Sequence, residues 1–197
     1  MYIKDKVTNT IIIEKSKFIT YLYPISLEDE YKTILKEIKK KHYDADHVCS
    51  GFILKNTKKS SDDGEPQGTA GIPILSTLEK NNLENIAAFV VRYFGGIKLG
   101  AGGLIRAYGS SVSEALHKAS FVTLEEYNKY ELVLNYELAN KVNNLLNRQT
   151  INLNVEYDTE VKYTYLSNDD KLINSIAEIT SGIKPVCIGK EVIQKDV

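Results

Sequence analysis

The chain has 197 residues, 43% of them hydrophobic and 26% charged, with a formal net charge of -1. That length holds one large domain or two small ones, and the near-neutral balance argues against a protein dominated by nonspecific nucleic-acid binding while leaving a local basic face open. Two cysteines far apart, Cys49 and Cys187, exclude a disulfide framework. MYIKDKVTNT has no apolar signal core, and no apolar run approaches the ~20 residues that cross a bilayer, so a cytoplasmic chain without a membrane segment is expected.

Thr10–Ile13 and Phe18–Tyr23 read as strands around a turn at Glu14–Lys17. Ser26, with Asp29 three residues on, is expected to cap a helix with Tyr31, Ile34, Leu35 and Ile38 as its inner stripe. Lys39–Lys41 close that helix, where its dipole favours cations. Asp46–Lys55 reads as a strand with His47 and Cys49 on one face. Three histidines and no second ligand pair at metal spacing point away from a zinc site. A thiol nucleophile with a histidine partner is the alternative, although side chains at i and i+2 on a strand stand roughly 7 Å apart, loose for a catalytic couple.

Asn56–Gly71 is polar and glycine-bearing, a long loop of the kind that is often functional. Its Asp62, Asp63 and Glu65 are candidate Mg²⁺ ligands, or else simple turn residues. A short helix, Ile74–Lys80, follows Pro73. Ile86–Val91 is a continuous apolar run, expected as a buried strand. Gly95, Gly96, Gly100, Gly102 and Gly103 come next, and then a helical period through Leu104, Ile105, Tyr108, Val112, Ala115, Leu116 and Ala119. Strand, glycine turn and helix N-terminus together can hold an anion. No Gly-Lys-Ser/Thr follows the glycines, and Ile105 stands where a dinucleotide fingerprint needs a small residue. The glycines alternatively serve close packing alone.

Beyond Glu125–Tyr127 the pattern reads as a second domain. It runs strand Tyr130–Asn135, helix Glu137–Arg148, strands Ile151–Tyr157 and Val161–Leu166, a helix capped by Asn168 and ended at Gly182, and strand Pro185–Ile193. The order βαββαβ over about 70 residues is the ferredoxin-like pattern. Residues 1–125 carry 17 Lys/Arg against 15 Asp/Glu and residues 126–197 carry 8 against 11, so only the first domain invites an anionic partner.

Three ordered stretches, DADHVCSGFI (44–53), SDDGEPQGTAGIP (61–73) and VVRYFGGIKLGAGGLIRAYG (90–109), resemble the IMPACT family, called YigZ in bacteria. The resemblance covers the first domain and extends to the small C-terminal module. It implies an α+β chain of two domains. Residues 1–125 would be like the second domain of ribosomal protein S5, a sheet with helices on one face. Residues 126–197 would be ferredoxin-like, as in a C-terminal domain of elongation factor G. Eukaryotic relatives act in translational control, and binding to nucleic acid or the translation machinery is implied for the bacterial branch.

The family's marked positions fall on His47, Asp62, Asp63, Gly64, Glu65, Pro66, Gly68, Thr69, Gly71, Arg92, Tyr93, Gly95, Gly96, Leu99, Gly100, Gly102, Gly103, Leu104, Ala107 and Tyr108. From these, with Lys98 and Arg106 as charge partners for a phosphate at the Gly102–Leu104 amides, the expected binding residues are His47, Asp62, Asp63, Glu65, Thr69, Arg92, Tyr93, Gly95, Gly96, Lys98, Gly100, Gly102, Gly103 and Arg106. Tyr93 is expected to stack on a base. The expected function is non-enzymatic: regulation of translation or a stress response through RNA, the ribosome or a translation factor, with no catalytic residue and no resident metal. The alternative is an enzyme acting on a phosphorylated or nucleotide-like small molecule with Mg²⁺.

Overall fold

Every residue from Ile86 to Arg92 is buried, because the strand they form lies mid-sheet with helices against both faces. The computed structural model describes residues 1–197, and the chain separates into two compact units, residues 1–123 with 196–197, and residues 124–195.

In the first unit, β1 (Tyr2–Ile3) pairs with Phe121–Val122. A five-stranded sheet is built from β2 (Val7–Ile13), β3 (Ser16–Pro24), β4 (His47–Leu54), β5 (Thr57–Ser61) and β6 (Ile86–Tyr93). Its order is β2-β3-β6-β4-β5 with every neighbour antiparallel. The β2–β3 turn is two residues, Glu14 and Lys15, both with positive φ (44° and 63°), which matches the twist of the flanking strands.

Three helices cover this sheet: α1 (Glu28–Lys41), α2 (Gly71–Lys80) and α3 (Gly100–Leu116). Period-two alternation sends Phe18 and Leu22 of β3 to the core with Ile74, Leu78, Leu104, Tyr108 and Val112 of α2 and α3. Tyr21 of the same strand goes to a second core with Tyr31, Ile34, Leu35 and Ile38 of α1. Each such large apolar side chain contributes about 1.5–3 kcal/mol on burial. Helices therefore lie on both faces of the sheet, not on one as expected.

Local starts also differ from expectation. Ser26 does not cap α1; the Glu30 carboxylate accepts from the Ser26 N–H (2.6 Å) and the Leu27 N–H (3.4 Å). The expected long loop after residue 55 contains β5, whose TKKSS sequence has no apolar alternation because it is an edge strand. α2 begins at Gly71, three residues early. α3 begins at Gly100, so Gly100, Gly102 and Gly103 form its first turn rather than a loop before it, and Ile105 is exposed.

β7 (Phe121–Leu134) starts in the first unit and runs unbroken through the expected boundary at Glu125–Tyr127; α4 (Tyr136–Gln149), β8 (Ile151–Tyr157), β9 (Val161–Ser167), α5 (Asp170–Ile179) and β10 (Val186–Asp196) follow it. β9 lies between β7 and β8, and β10 pairs with the other edge of β7. Tyr130, Leu132, Val142, Leu146, Tyr163, Leu172 and Ile176 form the core of the second unit. Asp169, not Asn168, caps α5 by accepting from Lys171 N–H at 2.9 Å; Asn168 instead accepts from Asn128 N–H. No helix of the chain is long and apolar enough to cross a membrane.

Candidate functional site

The segment between β5 and α2 folds around one carboxylate. Asp62 accepts from the N–H groups of Gly68 (2.8 Å), Ala70 (3.1 Å) and Gly71 (2.8 Å), so it both closes the turn and caps α2. Burial pushes its pKa up, and the three amides together outweigh that and hold it below the ordinary value. Thr69 locks the same turn by donating to Pro66 O (2.6 Å).

Asp63 points the other way. It accepts from Lys39 Nζ (2.6 Å) and from Val48 N–H (2.7 Å), and its backbone carbonyl accepts from His47 Nδ1 (2.9 Å). A carbonyl only accepts, so Nδ1 carries a proton in this contact. Gly64 is left-handed (φ 88°), and a Cβ there would stand 3.4 Å from the His47 ring.

Glu65 turns inward. Its Oε1 accepts from Arg92 Nη1 (2.7 Å) and from the Tyr108 hydroxyl (2.7 Å), while Oε2 lies 3.8 Å from His47 Nε2. The carboxylate and guanidinium side chains are 3% and 7% exposed. Arg92 sits between the rings of Phe18 and Phe94, each 5.6 Å from its guanidinium carbon, and its Nε makes no hydrogen bond. Beneath them the Cys49 thiol donates to Asp62 O (2.9 Å) and to the Tyr108 hydroxyl (3.3 Å). Burial drives the thiol up to about 12 and raises the Tyr108 hydroxyl far above its ordinary value, so both stay protonated. Cys49 is a packed donor, not a nucleophile.

These residues floor a cavity of about 400 Å³ lined by Asp46, His47, Glu65, Pro66, Arg92, Phe94, Lys98, Leu99, Gly100, Ala101 and Leu104. That is the size of a small-ligand pocket. Its far wall is the N-terminus of α3, which has no side-chain cap and no acidic residue in its first turn. Positive dipole charge and unclaimed N–H groups therefore face the space. Asp46 is occupied by the Phe94 N–H (2.7 Å), and the Glu65 charge is offset by Arg92. An anion with an apolar body fits: charge toward α3 and Lys98, body against Phe94, Leu99 and Leu104.

His47, Glu65, Arg92, Lys98 and Gly100 are thus brought together as expected. The other nine expected residues take other places, among them Asp62, Asp63 and Thr69 in the turn before α2. Tyr93 alternates away from Arg92 to the α1 side, bonding His42 Nδ1 (2.8 Å) and Asp44 (3.2 Å), so it is no part of this cavity. Gly102, Gly103 and Arg106 lie further along α3, outside the lining. Gly95 is structural: a Cβ there would fall 2.0 Å from the Lys15 carbonyl carbon, because the glycine loop packs on the β2–β3 turn. Gly96 is left-handed (φ 85°) and faces open space. Asp62, Asp63 and Glu65 diverge, each carboxylate being satisfied by a different group of protein donors. Phe94 was missed as a site residue, and period two from Arg92 carried the signal; Tyr108, a marked position left out of the expected binding set, lies beneath the cavity on the Glu65 carboxylate.

The Impact N-terminal domain model matches residues 14–116. The IMPACT family member YvyE of Bacillus subtilis (strain 168) is 40% identical over 181 residues, 89% of this chain and 82% of that protein. The IMPACT family member YigZ of Escherichia coli (strain K12) is 37% identical over 139 residues, 68% of each chain. A solved structure described as the crystal structure of an hypothetical protein superposes with a TM-score of 0.59 at 31% identity, covering 95% of this chain and 96% of that one.

Proposed function

Since the chain belongs to the IMPACT family, we propose that it is a cytoplasmic binding protein of translational control that grips an anionic group of RNA, the ribosome or a translation factor in the cavity at the start of α3. The observation that carries this reading is the pairing of an uncapped helix N-terminus with a buried Arg92 whose Nε has no partner, on one cavity with Lys98 at its rim. A phosphate or carboxylate would take the α3 amides and the Lys98 ammonium; Phe94, 46% exposed, would cover a base or an apolar side chain. In the same proposal the first unit is like the second domain of ribosomal protein S5. The second unit, with its βαββαβ order, is ferredoxin-like.

Thermal-shift titration with inorganic phosphate and nucleoside monophosphates tests the pocket. Saturating ligand is expected to raise Tm, by the equivalent of about 2.7 kcal/mol at a hundredfold excess over Kd, and Lys98→Glu should remove the shift. Co-sedimentation with ribosomes, lost in Lys98→Glu, tests the partner class. No shift with any anion and no sedimentation would overturn the reading.

One observation favours a second reading, an enzyme acting on a phosphorylated small molecule. His47 lines the cavity with its ring oriented through the Nδ1 contact to the Asp63 carbonyl, the arrangement of a general base. Turnover of a phosphorylated compound that is lost in His47→Gln, with binding retained, would favour it. In this reading the three carboxylates of the turn stay with their protein donors.

A further inference from the structure

α1 covers only part of its sheet face. The uncovered part lies on β2 and β3, opposite the cavity, and combines three lysines with tyrosine rings. Lys6 Nζ stands 4.5 Å from the Tyr23 ring centroid, Lys17 Nζ 4.7 Å from that of Tyr93, and Lys41 Nζ 5.3 Å from that of Tyr21. Lys32, Lys39 and Lys59 of the same unit are paired with carboxylates; these three make no ion pair. The nearby Asp44 is engaged by the Tyr93 hydroxyl (3.2 Å).

The platform is rigid. His42 ties β3 to β6, its Nε2 at 2.8 Å from the Tyr21 hydroxyl and its Nδ1 at 2.8 Å from that of Tyr93. Next to it Tyr43 is 86% exposed, and Ile12, 71% exposed, faces Lys17 across the β2–β3 register. Thr8 and Thr10 present hydroxyls on the same face of β2, opposite Tyr21 and Ile19. Ammonium groups without ion pairs, standing over half-buried tyrosine rings beside the exposed ring of Tyr43, suit a chain that is an anion at every link and has a π-face at every link. A duplex cannot use the rings, because its bases are already stacked.

We propose that this open sheet face binds single-stranded RNA, its phosphates on Lys6, Lys17 and Lys41, its bases against Tyr43, Tyr93 and Tyr23, and its 2′-hydroxyls near Thr8 and Thr10. The surface is separate from the cavity, so neither proposal stands or falls with the other.

The test is fluorescence anisotropy of a labelled oligouridylate of about 15 nucleotides with the full chain, titrated with salt from about 50 mM. Binding is expected to weaken with a log–log slope of about -2, from three contacts at about 0.7 each. Lys6→Gln, Lys17→Gln and Lys41→Gln should each flatten the slope by about 0.7, and Tyr43→Ala should weaken binding roughly tenfold without changing the slope. All four side chains are at the surface, and an unchanged melting curve certifies the fold. Lys98→Glu should leave this binding unchanged while removing the cavity's anion response. Four outcomes overturn the proposal: no binding at low salt; binding indifferent to the lysine variants; oligothymidylate or duplex RNA bound as tightly; or an acidic peptide that binds where the RNA does not.

Discussion

Glu65 and Arg92 form an ion pair (Oε1 to Nη1, 2.7 Å) buried at both ends, and the Tyr108 hydroxyl shares the same carboxylate oxygen. Removing one member leaves the other charge uncompensated in a low-dielectric floor. Glu65→Ala and Arg92→Ala are each expected to lower stability by about 3–5 kcal/mol. The double variant Glu65→Ala/Arg92→Ala should cost clearly less than the two single losses together. Urea unfolding of the four proteins measures this, and additive losses would show the pair to be uncoupled.

Asp62 links acid stability to one turn. Its folded pKa lies below the ordinary 3.8, so the unfolded chain binds its proton first as pH falls. Its contribution is complete above 3.8 and lost as pH falls through the lower folded value. Asp62→Asn should be less stable than the parent at neutral pH, with the gap closing below pH 3.8. Asp62→Ala, which leaves three N–H groups without an acceptor, should cost at least about 2 kcal/mol. Chemical unfolding at stepped pH reads both.

His42 acts in the opposite range. Burial, and then the neighbouring Lys41, lower its pKa from 6.5. The unfolded chain therefore takes the proton first as pH falls below 6.5, and stability declines until the folded imidazole also titrates. In His42→Gln this decline should shrink. A parent whose Tm is unchanged from above 6.5 to well below it would contradict the assignment, apart from the carboxylate losses at lower pH.

The two thiols should differ sharply in reactivity. Cys187 is exposed, whereas Cys49 is buried with its thiol held up at about 12. At mildly alkaline pH iodoacetamide should modify Cys187 at once and Cys49 only on unfolding. Peptide mapping of alkylated native protein checks this, and rapid labelling of Cys49 would mean that the cavity floor opens.

Gly95 holds the glycine loop against the β2–β3 turn. A Cβ would lie 2.0 Å from the Lys15 carbonyl carbon, against backbone that cannot rotate away. Gly95→Ala should cost about 2 kcal/mol or more, whereas Gly96, left-handed and facing open space, should lose only what its positive φ demands. Comparing melting temperatures of Gly95→Ala and Gly96→Asn separates contact from conformation, since Asn tolerates the left-handed region.

By itself the sequence determined which segments could be buried. The unbroken Ile86–Val91 run had to be an interior strand, and the stripe through Leu104, Tyr108 and Val112 had to face a core, because apolar surface leaves water whatever the topology. The same holds for the alternation that puts His47 and Cys49 on one side. Polar residues carry no such instruction. Thr57–Ser61 is a strand because β4 supplies its ladder bonds, and the three acidic residues of the SDDGEP stretch diverge because their donors, Gly68–Gly71, Lys39 and Arg92, come from three places in the chain. Whether an acidic side chain caps a helix, pairs on the surface or neutralises a buried arginine is set by distances between remote segments. Those distances exist only once the sheet has closed, and with them came the cavity, the separation of Tyr93 from Arg92 and the lysine–tyrosine face behind it.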